Sequence, residues 1–151
     1  MGEDGRVEVQ VDKVNLSDGR VSSVSPMSFP RYAFSAVASA GCILVFGGYN
    51  AKSCCEKFDP IMDRWMLLPD MPTGRHASAA VHLPWLGDLI VGGQNKSGDN
   101  LKTAEILKSV TVDSETTYYW EKISSMLKPR WLPSDVYFEG FAYVVEPVLQ
   151  P

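Results

Sequence analysis

Short runs of apolar and small residues, each ended by turn-forming residues, follow one another along the middle of the chain. Residues 42–46, Cys-Ile-Leu-Val-Phe, are followed directly by two glycines at 47–48, which predicts a buried strand that ends abruptly. Because glycine has no Cβ, this pair can adopt positive φ where a neighbouring segment packs closely. Residues 34–39, 55–58 and 64–68 predict three further short strands. With no helical period in this region, the pattern predicts a four-stranded antiparallel unit.

The same order of features returns further along the chain. The glycine pair at 47–48 recurs at 92–93, a shift of 45 residues. Arg31, Arg75 and Arg130 each follow a methionine by four residues. The distance from arginine to glycine pair is 16 residues in the first copy and 17 in the second. A period of 44 to 55 residues with four strands in each unit is typical of propeller blades.

Incomplete copies flank the two complete ones. Residues 7–14 alternate apolar and polar side chains, and residues 21–24 resume after a turn, which predicts a hairpin supplying the last two strands of a unit. Residues 131–145 predict the first two strands of another unit, with a turn at 139–140. The glycine pair does not recur at 146–147. The sequence therefore predicts an all-β fold of about three blade equivalents, which is too few to close a ring.

The chain is expected to divide into four parts on this basis. The second complete unit is the longer one, and residues 110–117 are predicted to form an extended hairpin loop in it. The expected parts are residues 1–29 (the last two strands of a preceding blade), 30–72 (a blade), 73–129 (a blade with a long hairpin between its third and fourth strands) and 130–151 (the first two strands of a further blade).

Composition limits the class of protein. A length of 151 residues is that of one domain or of a piece of a larger one, and a net charge of -4 argues against a general nucleic-acid binder. The apolar runs are too short to cross a bilayer, and the start has no signal-peptide pattern. Three cysteines, two of them adjacent at 54–55, make a poor disulfide framework and indicate a reducing compartment. A cytoplasmic location is therefore expected.

The order of these features resembles the kelch repeat over roughly residues 5–145. The resemblance implies a β-propeller in which the glycines end the second strand near the crowded axis, and in which the tryptophan of the outer strand packs against the next blade. The residues that carry the repeat are Arg31, Gly47, Gly48, Trp65, Arg75, Gly92, Gly93, Trp120 and Arg130, with the sequences Phe58-Asp59-Pro60 and Met71-Pro72 in the first copy.

The resemblance also implies a binding surface. Kelch-like substrate adaptors of cullin ubiquitin ligases hold a client peptide with residues just after the glycine pair and just after the repeat arginine. The matching positions here are Tyr32, Tyr49, Asn50, His76, Gln94, Asn95 and Trp131. Aromatic and amide groups on a rigid rim suit peptide recognition. The deeper positions, which hold arginines in some acidic-peptide binders, are Ala33, Ala77 and Leu132, so an acidic client is disfavoured. The alternative is that all of these are ordinary loop residues.

A non-catalytic protein-interaction module is the function that these observations favour. Adaptors of this kind carry a BTB domain and a helical linker, and neither pattern is found in the sequence. Other kelch proteins bind actin or act as scaffolds, and a truncated product without a function is a third possibility. The expected partner is a client protein or peptide, with cullin-ligase components or actin as alternatives, and neither nucleic acid nor membrane. An open ring is expected to expose strand edges and an apolar blade face.

Two groups of recurring residues have competing interpretations. Arg31, Arg75 and Arg130 could form an anion-binding cluster, but their recurrence with the repeat favours a structural role at blade junctions. Trp65 and Trp120 are expected to be core packing residues for the same reason.

No catalytic residue, metal or cofactor is predicted. The cysteines at 54–55 lack a zinc-ligand spacing, and as neighbours in a strand they point to opposite faces. Copper radical oxidases also carry kelch propellers, but their site needs two histidines, two tyrosines and a cysteine that converge. Here His76 and His82 flank a single strand. Nucleophile-elbow, phosphate-loop and zinc-protease motifs are absent from the sequence as well.

Overall fold

The computed structural model describes residues 9–146, and every regular element in that range is a β-strand. None of the described residues forms a helix long and apolar enough to cross a membrane. The strands are β1 (Val11–Val14), β2 (Val21–Val24), β3 (Ser35–Ser39), β4 (Cys42–Phe46), β5 (Cys55–Asp59), β6 (Arg64–Leu68), β7 (Ala79–Leu83), β8 (Gly87–Val91), β9 (Ala104–Val112), β10 (Glu115–Ile123), β11 (Ser134–Phe138) and β12 (Phe141–Val145).

The strands form four antiparallel sheets in chain order. Strands β3 to β6 make one four-stranded sheet, here called blade 1, and β7 to β10 make a second, blade 2. Strands β1 and β2 pair only with each other in the described residues, as do β11 and β12, and we call these pairs the N-terminal and C-terminal half-blades. The predicted all-β partial propeller is thus confirmed. The first strand is shorter than predicted, since it begins at Val11; residues 7 and 8 lie outside the described range.

Residues 110–117, predicted as an extended hairpin loop, lie at the end of a long hairpin between the third and fourth strands of blade 2. Strands β9 and β10 stay paired as far as Val112 and Glu115, and only Asp113 and Ser114 turn the chain. Both turn residues have positive φ, 49° and 68°, as a two-residue hairpin turn of type I′ requires. The sequence between Ala104 and Ile123 is rich in β-branched and aromatic residues, which favour a continued ladder over a loop. The result is a hairpin of two nine-residue strands.

Two apolar layers join the blades. Phe46 of blade 1 and Ile90 of blade 2 are fully buried members of the layer between these two blades. Leu89 and Val91 of blade 2 belong to a second layer, against which Val144 of the C-terminal half-blade packs. Burial of side chains of this size contributes about 1.5–3 kcal/mol each. The propeller is therefore held together face to face between sheets, as in stacked repeats.

The glycine pairs lie where neighbouring blades approach most closely. A Cβ placed on Gly47, whose φ is +64°, would lie 2.2 Å from the carbonyl oxygen of Arg75 in the linker to blade 2. A Cβ on Gly92, whose φ is +65°, would lie 2.8 Å from the carbonyl oxygen of Arg130 in the linker to the C-terminal half-blade. The next backbone occupies the space that a side chain would need, so only glycine fits here.

The tryptophans contact the preceding unit, which corrects the expectation that they pack against the next blade. The indole N–H of Trp65 in blade 1 donates to the carbonyl oxygen of Ser25 at 2.7 Å, and that of Trp120 in blade 2 donates to Pro69 at 2.8 Å. Trp120 also meets the ring of Phe46 edge-on, with centroids 6.0 Å apart. A partly buried indole N–H needs an acceptor, and the segment leaving the previous sheet supplies it.

Candidate functional site

A buried arginine organises the loops of blade 1. Arg31 donates to the carbonyl oxygens of Gly47 (2.8 Å) and Cys54 (2.9 Å) and to the carboxylate of Glu56 (2.6 Å). Both charged side chains are 0% exposed. Removing one partner of such a pair would leave a desolvated charge, so the arrangement fixes the ends of β4 and β5 firmly.

Blade 2 repeats this arrangement at equivalent positions. Arg75 donates to the carbonyl oxygens of Gly92 (2.9 Å) and Thr103 (3.1 Å), and lies 3.1 Å from the carboxylate of Glu105. Burial lowers the pKa of Arg75, and the neighbouring carboxylate opposes that change. The arginines of both blades have fully buried side chains, which argues against their binding an external anion.

The third arginine of the repeat is arranged differently. Arg130 lies 3.7 Å from the carboxylate of Glu146, and both side chains are about 30% exposed (30% and 31%). Glu146 occupies the position of the first glycine of the pair in the other copies. Its carboxylate also accepts a hydrogen bond from the backbone N–H of Trp131 at 3.2 Å.

A short chain of backbone hydrogen bonds runs between the units just after the repeat arginines. The N–H of Ala77 donates to Ala33 (2.7 Å), and the N–H of Leu132 donates to Ala77 (3.1 Å). All three residues have φ near +50° (52°, 52° and 50°). A positive φ costs a residue with a side chain about 1 kcal/mol or more, and it persists where surrounding contacts fix it. The deeper positions of the predicted surface are thus rigid.

Three of the predicted binding residues form an aromatic cluster on this face. The rings of Tyr32 and Tyr49 stack with centroids 5.0 Å apart, and Tyr49 meets His76 edge-on at 5.2 Å. Tyr32 and Tyr49 remain 46% and 48% exposed. Burial, and then the positive charge of Lys52, lower the pKa of His76. A neutral imidazole against Tyr49, which itself stacks on Tyr32, makes the cluster an apolar, stacking surface at neutral pH.

A cavity of about 540 Å³ opens beside the aromatic cluster. The ammonium of Lys52 lies 5.1 Å from the ring centre of Tyr49 and donates to the carbonyl oxygen of Asn95 at 3.1 Å. The cavity, here called the loop cavity, contains two lysines and four hydroxyl groups but no carboxylate among its lining residues, which are Tyr49, Asn50, Lys52, Ser53, Pro72, Thr73, Gly74, Asn95, Lys96 and Ser97. Its lining is therefore electropositive.

The other predicted site residues fall into two groups. Asn50 and Asn95 line the loop cavity, and Gln94 joins His76 through backbone hydrogen bonds of 2.9 and 3.1 Å. The side-chain amide of Gln94 donates to Asn100 at 2.9 Å. Trp131, in contrast, is 39% exposed and is not part of the aromatic cluster or the loop cavity.

Sequence reasoning missed the charged part of the site. It selected the first two residues after each glycine pair, whereas Lys52 and Lys96 lie four and three residues after theirs. Both lysines belong to the same loops, so extending the search along each loop would have found them. Thr73 was missed because the segment before the repeat arginine was not considered; it donates to the carboxylate of Glu105.

The cysteines are free thiols in different surroundings. Cys55 is fully buried, and burial raises its thiol pKa to about 12. Cys54 is partly exposed, and its sulfur lies 3.5 Å from a guanidinium nitrogen of Arg31. A thiol with a raised pKa is a poor nucleophile, so the fully buried one has a packing role.

The described residues contain no cluster of three or more potential metal-ligating side chains. The two histidines do not converge: His76 belongs to the aromatic cluster, whereas His82 lies 2.7 Å from the carboxylate of Asp88. That pair belongs to the β7–β8 ladder, in which the two residues face each other.

Comparison with known proteins agrees with this architecture. A family model described as the kelch motif matches residues 30–72, which span blade 1. An F-box/kelch-repeat protein of Arabidopsis thaliana is 29% identical over an alignment that covers 95% of this chain. Both comparisons support kelch repeats in this chain. Kelch repeats form propellers that bind other proteins, and the family is generally a non-enzymatic interaction module. This kelch-repeat chain spans 38% of the length of the Arabidopsis relative.

Proposed function

We propose that this kelch-repeat chain is a non-catalytic client-recognition module, similar to the propellers of cullin-ligase substrate adaptors. The observation that carries the proposal is the aromatic cluster of Tyr32, Tyr49 and His76 beside the loop cavity on one face. Exposed aromatic side chains next to a concave polar site are a common arrangement for peptide recognition. The Arabidopsis relative likewise has kelch repeats together with a second named element, an F-box.

The rigidity of this face supports the proposal. The backbone N–H of Tyr49 donates to Tyr32 at 2.9 Å, and Gly48 donates to Arg75 at 3.1 Å. The buried ion pair of Arg75 and Glu105 fixes the same linker from the other side. A preorganised surface loses little conformational entropy when it binds, which raises affinity without extra contacts.

The charges indicate what kind of segment the face would bind. Lys52 and Lys96 make the loop cavity electropositive, whereas Ala33 and Ala77 leave the deeper positions without charge. An acidic client was disfavoured on the deeper positions alone, but the two lysines change that expectation. We therefore propose a client segment with an acidic side chain in the loop cavity and an aromatic or aliphatic side chain against the aromatic cluster. Opposite charges across such an interface mainly determine specificity and association rate.

Quantitative affinity capture from cell lysate tests this proposal. The immobilised wild-type protein is compared with Tyr49→Ala and Lys52→Ala, and we expect the captured client to decrease by at least about tenfold for each change, which corresponds to about 1.4 kcal/mol. Tyr119→Ala and Lys122→Ala are matched controls, because both residues are exposed on β10, away from this face.

The identity of the captured proteins separates the alternatives. Cullin-ligase components together with a Tyr49-dependent client would support an adaptor, whereas direct co-sedimentation with purified actin filaments would support a cytoskeletal kelch protein. Equal loss in the Tyr49 and Tyr119 variants, or no loss in either, would contradict a binding role for the aromatic cluster.

A further inference from the structure

The N-terminal half-blade corresponds to the third and fourth strands of a blade. In blade 1, Cys55 faces Leu68, three residues before the repeat methionine. In the half-blade, Val11 faces Val24, again three residues before its methionine. In both units the backbone N–H of the methionine donates to a carbonyl oxygen. The acceptor residue lies two positions before Cys55 in blade 1 and two positions before Val11 in the half-blade. The two sheets therefore share one register.

The C-terminal half-blade corresponds to the first and second strands. Ser134, four residues after its repeat arginine, faces Val145, just as Ser35 in blade 1 faces Phe46. Within residues 9–146, no strand pairs with the outer edge of β12 or with that of β1. Strand β12 therefore lacks a third strand beside it, and β1 lacks a second strand. In a complete blade, the second and third strands pair with each other along these two edges.

The buried ion pair of the complete blades is divided between these two half-blades. In the shared register Asp12 is equivalent to Glu56, because Asp12 directly follows Val11 and Glu56 directly follows Cys55. It is exposed and accepts a hydrogen bond from Ser23 at 2.9 Å. Arg130 takes the position of Arg31, but its strand pair contains no third-strand carboxylate. One half-blade therefore carries the arginine of the pair and the other carries the acid.

The C-terminal half-blade also leaves an apolar face open. Its outward side chains are between 50% and 67% exposed, whereas the equivalent residues Val37, Leu44 and Phe46 of blade 1 are buried beneath blade 2. The exposed side chains are Val136, Phe138, Phe141, Tyr143 and Val145. An apolar surface of this kind is typical of an interface.

We propose that two copies of this chain complete each other's half-blades. Strand β12 of one copy pairs antiparallel with β1 of the other, with Val145 opposite the partner's Val11, as Phe46 lies opposite Cys55 in blade 1. Residues 9–146 of each copy make three blade equivalents, so these residues of the pair form six four-stranded blades around a two-fold axis. Pairing also removes both open strand edges. This proposal is independent of the proposed client binding.

The ion pair specifies the partner. In the closed ring, Arg130 contacts the partner's Asp12 inside the new blade, in place of its 3.7 Å contact with Glu146. The side chain of Arg130 is 30% exposed in its present arrangement, whereas that of Arg31 is fully buried against Glu56. Aspartate is one methylene shorter than glutamate, and the partly exposed arginine side chain has room to reorient across this gap.

Charge reversal tests the pairing through the mass of the protein in solution. We expect light scattering and native mass spectrometry to show a dimer for the wild type. Arg130→Asp alone and Asp12→Arg alone should each weaken dimerisation by at least tenfold. Mixing the two variants should restore the dimer, because the mixed pair has one native junction and one junction with its charges exchanged. Arg20→Asp and Asp18→Arg are matched controls, since both residues lie outside the proposed junction in the β1–β2 turn.

Several outcomes would overturn the proposal. A folded wild type that stays monomeric at every concentration, or a dimer that both single variants retain, would exclude it. Failure of the mixed variants to dimerise, with each still folded by circular dichroism, would exclude the Arg130–Asp12 contact. Tyr49→Ala is expected to leave the dimer intact, so a failure of client binding is distinguishable from a failure of assembly.

Discussion

Blade 1 and the C-terminal half-blade carry the same arginine at the same position, in very different environments. Arg31 lies 2.6 Å from Glu56 and is fully buried, whereas Arg130 lies 3.7 Å from Glu146 and is 30% exposed. The difference is the third strand with the residue before it, since β5 supplies the glutamate and Cys54 supplies the carbonyl that cover the guanidinium. A repeat residue thus gains its structural role only when its whole blade is present.

The largest expected difference between these two regions comes from their acidic partners. Glu56→Ala leaves Arg31 buried without its counter-charge and should destabilise the protein by about 3–5 kcal/mol. Glu146→Ala removes a partly exposed partner and should cost at most about 1 kcal/mol. Urea denaturation followed by tryptophan fluorescence measures both values. Equal destabilisation by the two substitutions would mean that the ion pair of blade 1 does not depend on its burial.

Substitution of a turn glycine in each region is expected to give a smaller difference in stability. Gly47→Ala introduces a methyl group 2.2 Å from the carbonyl of Arg75 at a φ of +64° and should cost about 2–4 kcal/mol. Gly140→Ala has a φ of +86° but no atom within 4 Å, so only the strain of about 1 kcal/mol remains. Thermal unfolding of both variants gives the difference. A larger effect at Gly140 would contradict the close approach of blades 1 and 2.

The smallest expected effect is the pH dependence of stability that comes from Asp135. Asp135 lies five residues after its repeat arginine, where blade 1 has Ala36. Burial raises its pKa from 3.8 to about 6, although a hydrogen bond from its own backbone N–H opposes this, and one carboxyl oxygen is buried without a hydrogen-bond partner. The folded state therefore binds the proton more tightly than the unfolded state. Stability from this group is present below pH 3.8 and is lost as pH rises through about 6.

Comparison of the wild type with Asp135→Asn isolates that effect. Between pH 4 and pH 7, the wild type should lose about 1 kcal/mol relative to the variant, a value reduced because the side chain is partly exposed to solvent. Urea titrations at several pH values measure the difference. A wild type that gains stability relative to the variant over this range would show that the carboxyl group has an ionic partner.

The strands and the glycine pairs could be predicted because each is a local pattern repeated at a fixed spacing. Residues 42–46 and 47–48 have the expected conformation, since a short apolar run and a residue without Cβ leave few alternatives. The long hairpin at 110–117 could be predicted because this segment is longer than its counterpart in blade 1, whereas the extent of strand pairing in it depends on its β-branched residues.

Other features depend on contacts between distant parts of the chain. The direction of the tryptophan contacts was mispredicted because spacing does not show which neighbouring sheet an indole faces. Lys52 and Asn95 are 43 residues apart, and only the packing of blade 1 on blade 2 brings them together. The equivalence of Asp12 and Glu56 likewise requires the strand register, because the two residues lie in units with different loop lengths.

Arg75 makes hydrogen bonds to both complete blades. Its backbone N–H donates to Lys52 and its carbonyl oxygen accepts from Gly48, both in blade 1, while its side chain binds Gly92 and Thr103 in blade 2. Separating the blades therefore disturbs the interior of both. Unfolding should accordingly be cooperative across this boundary, and the amides of β4 and β8 should exchange with solvent deuterium as a single unit.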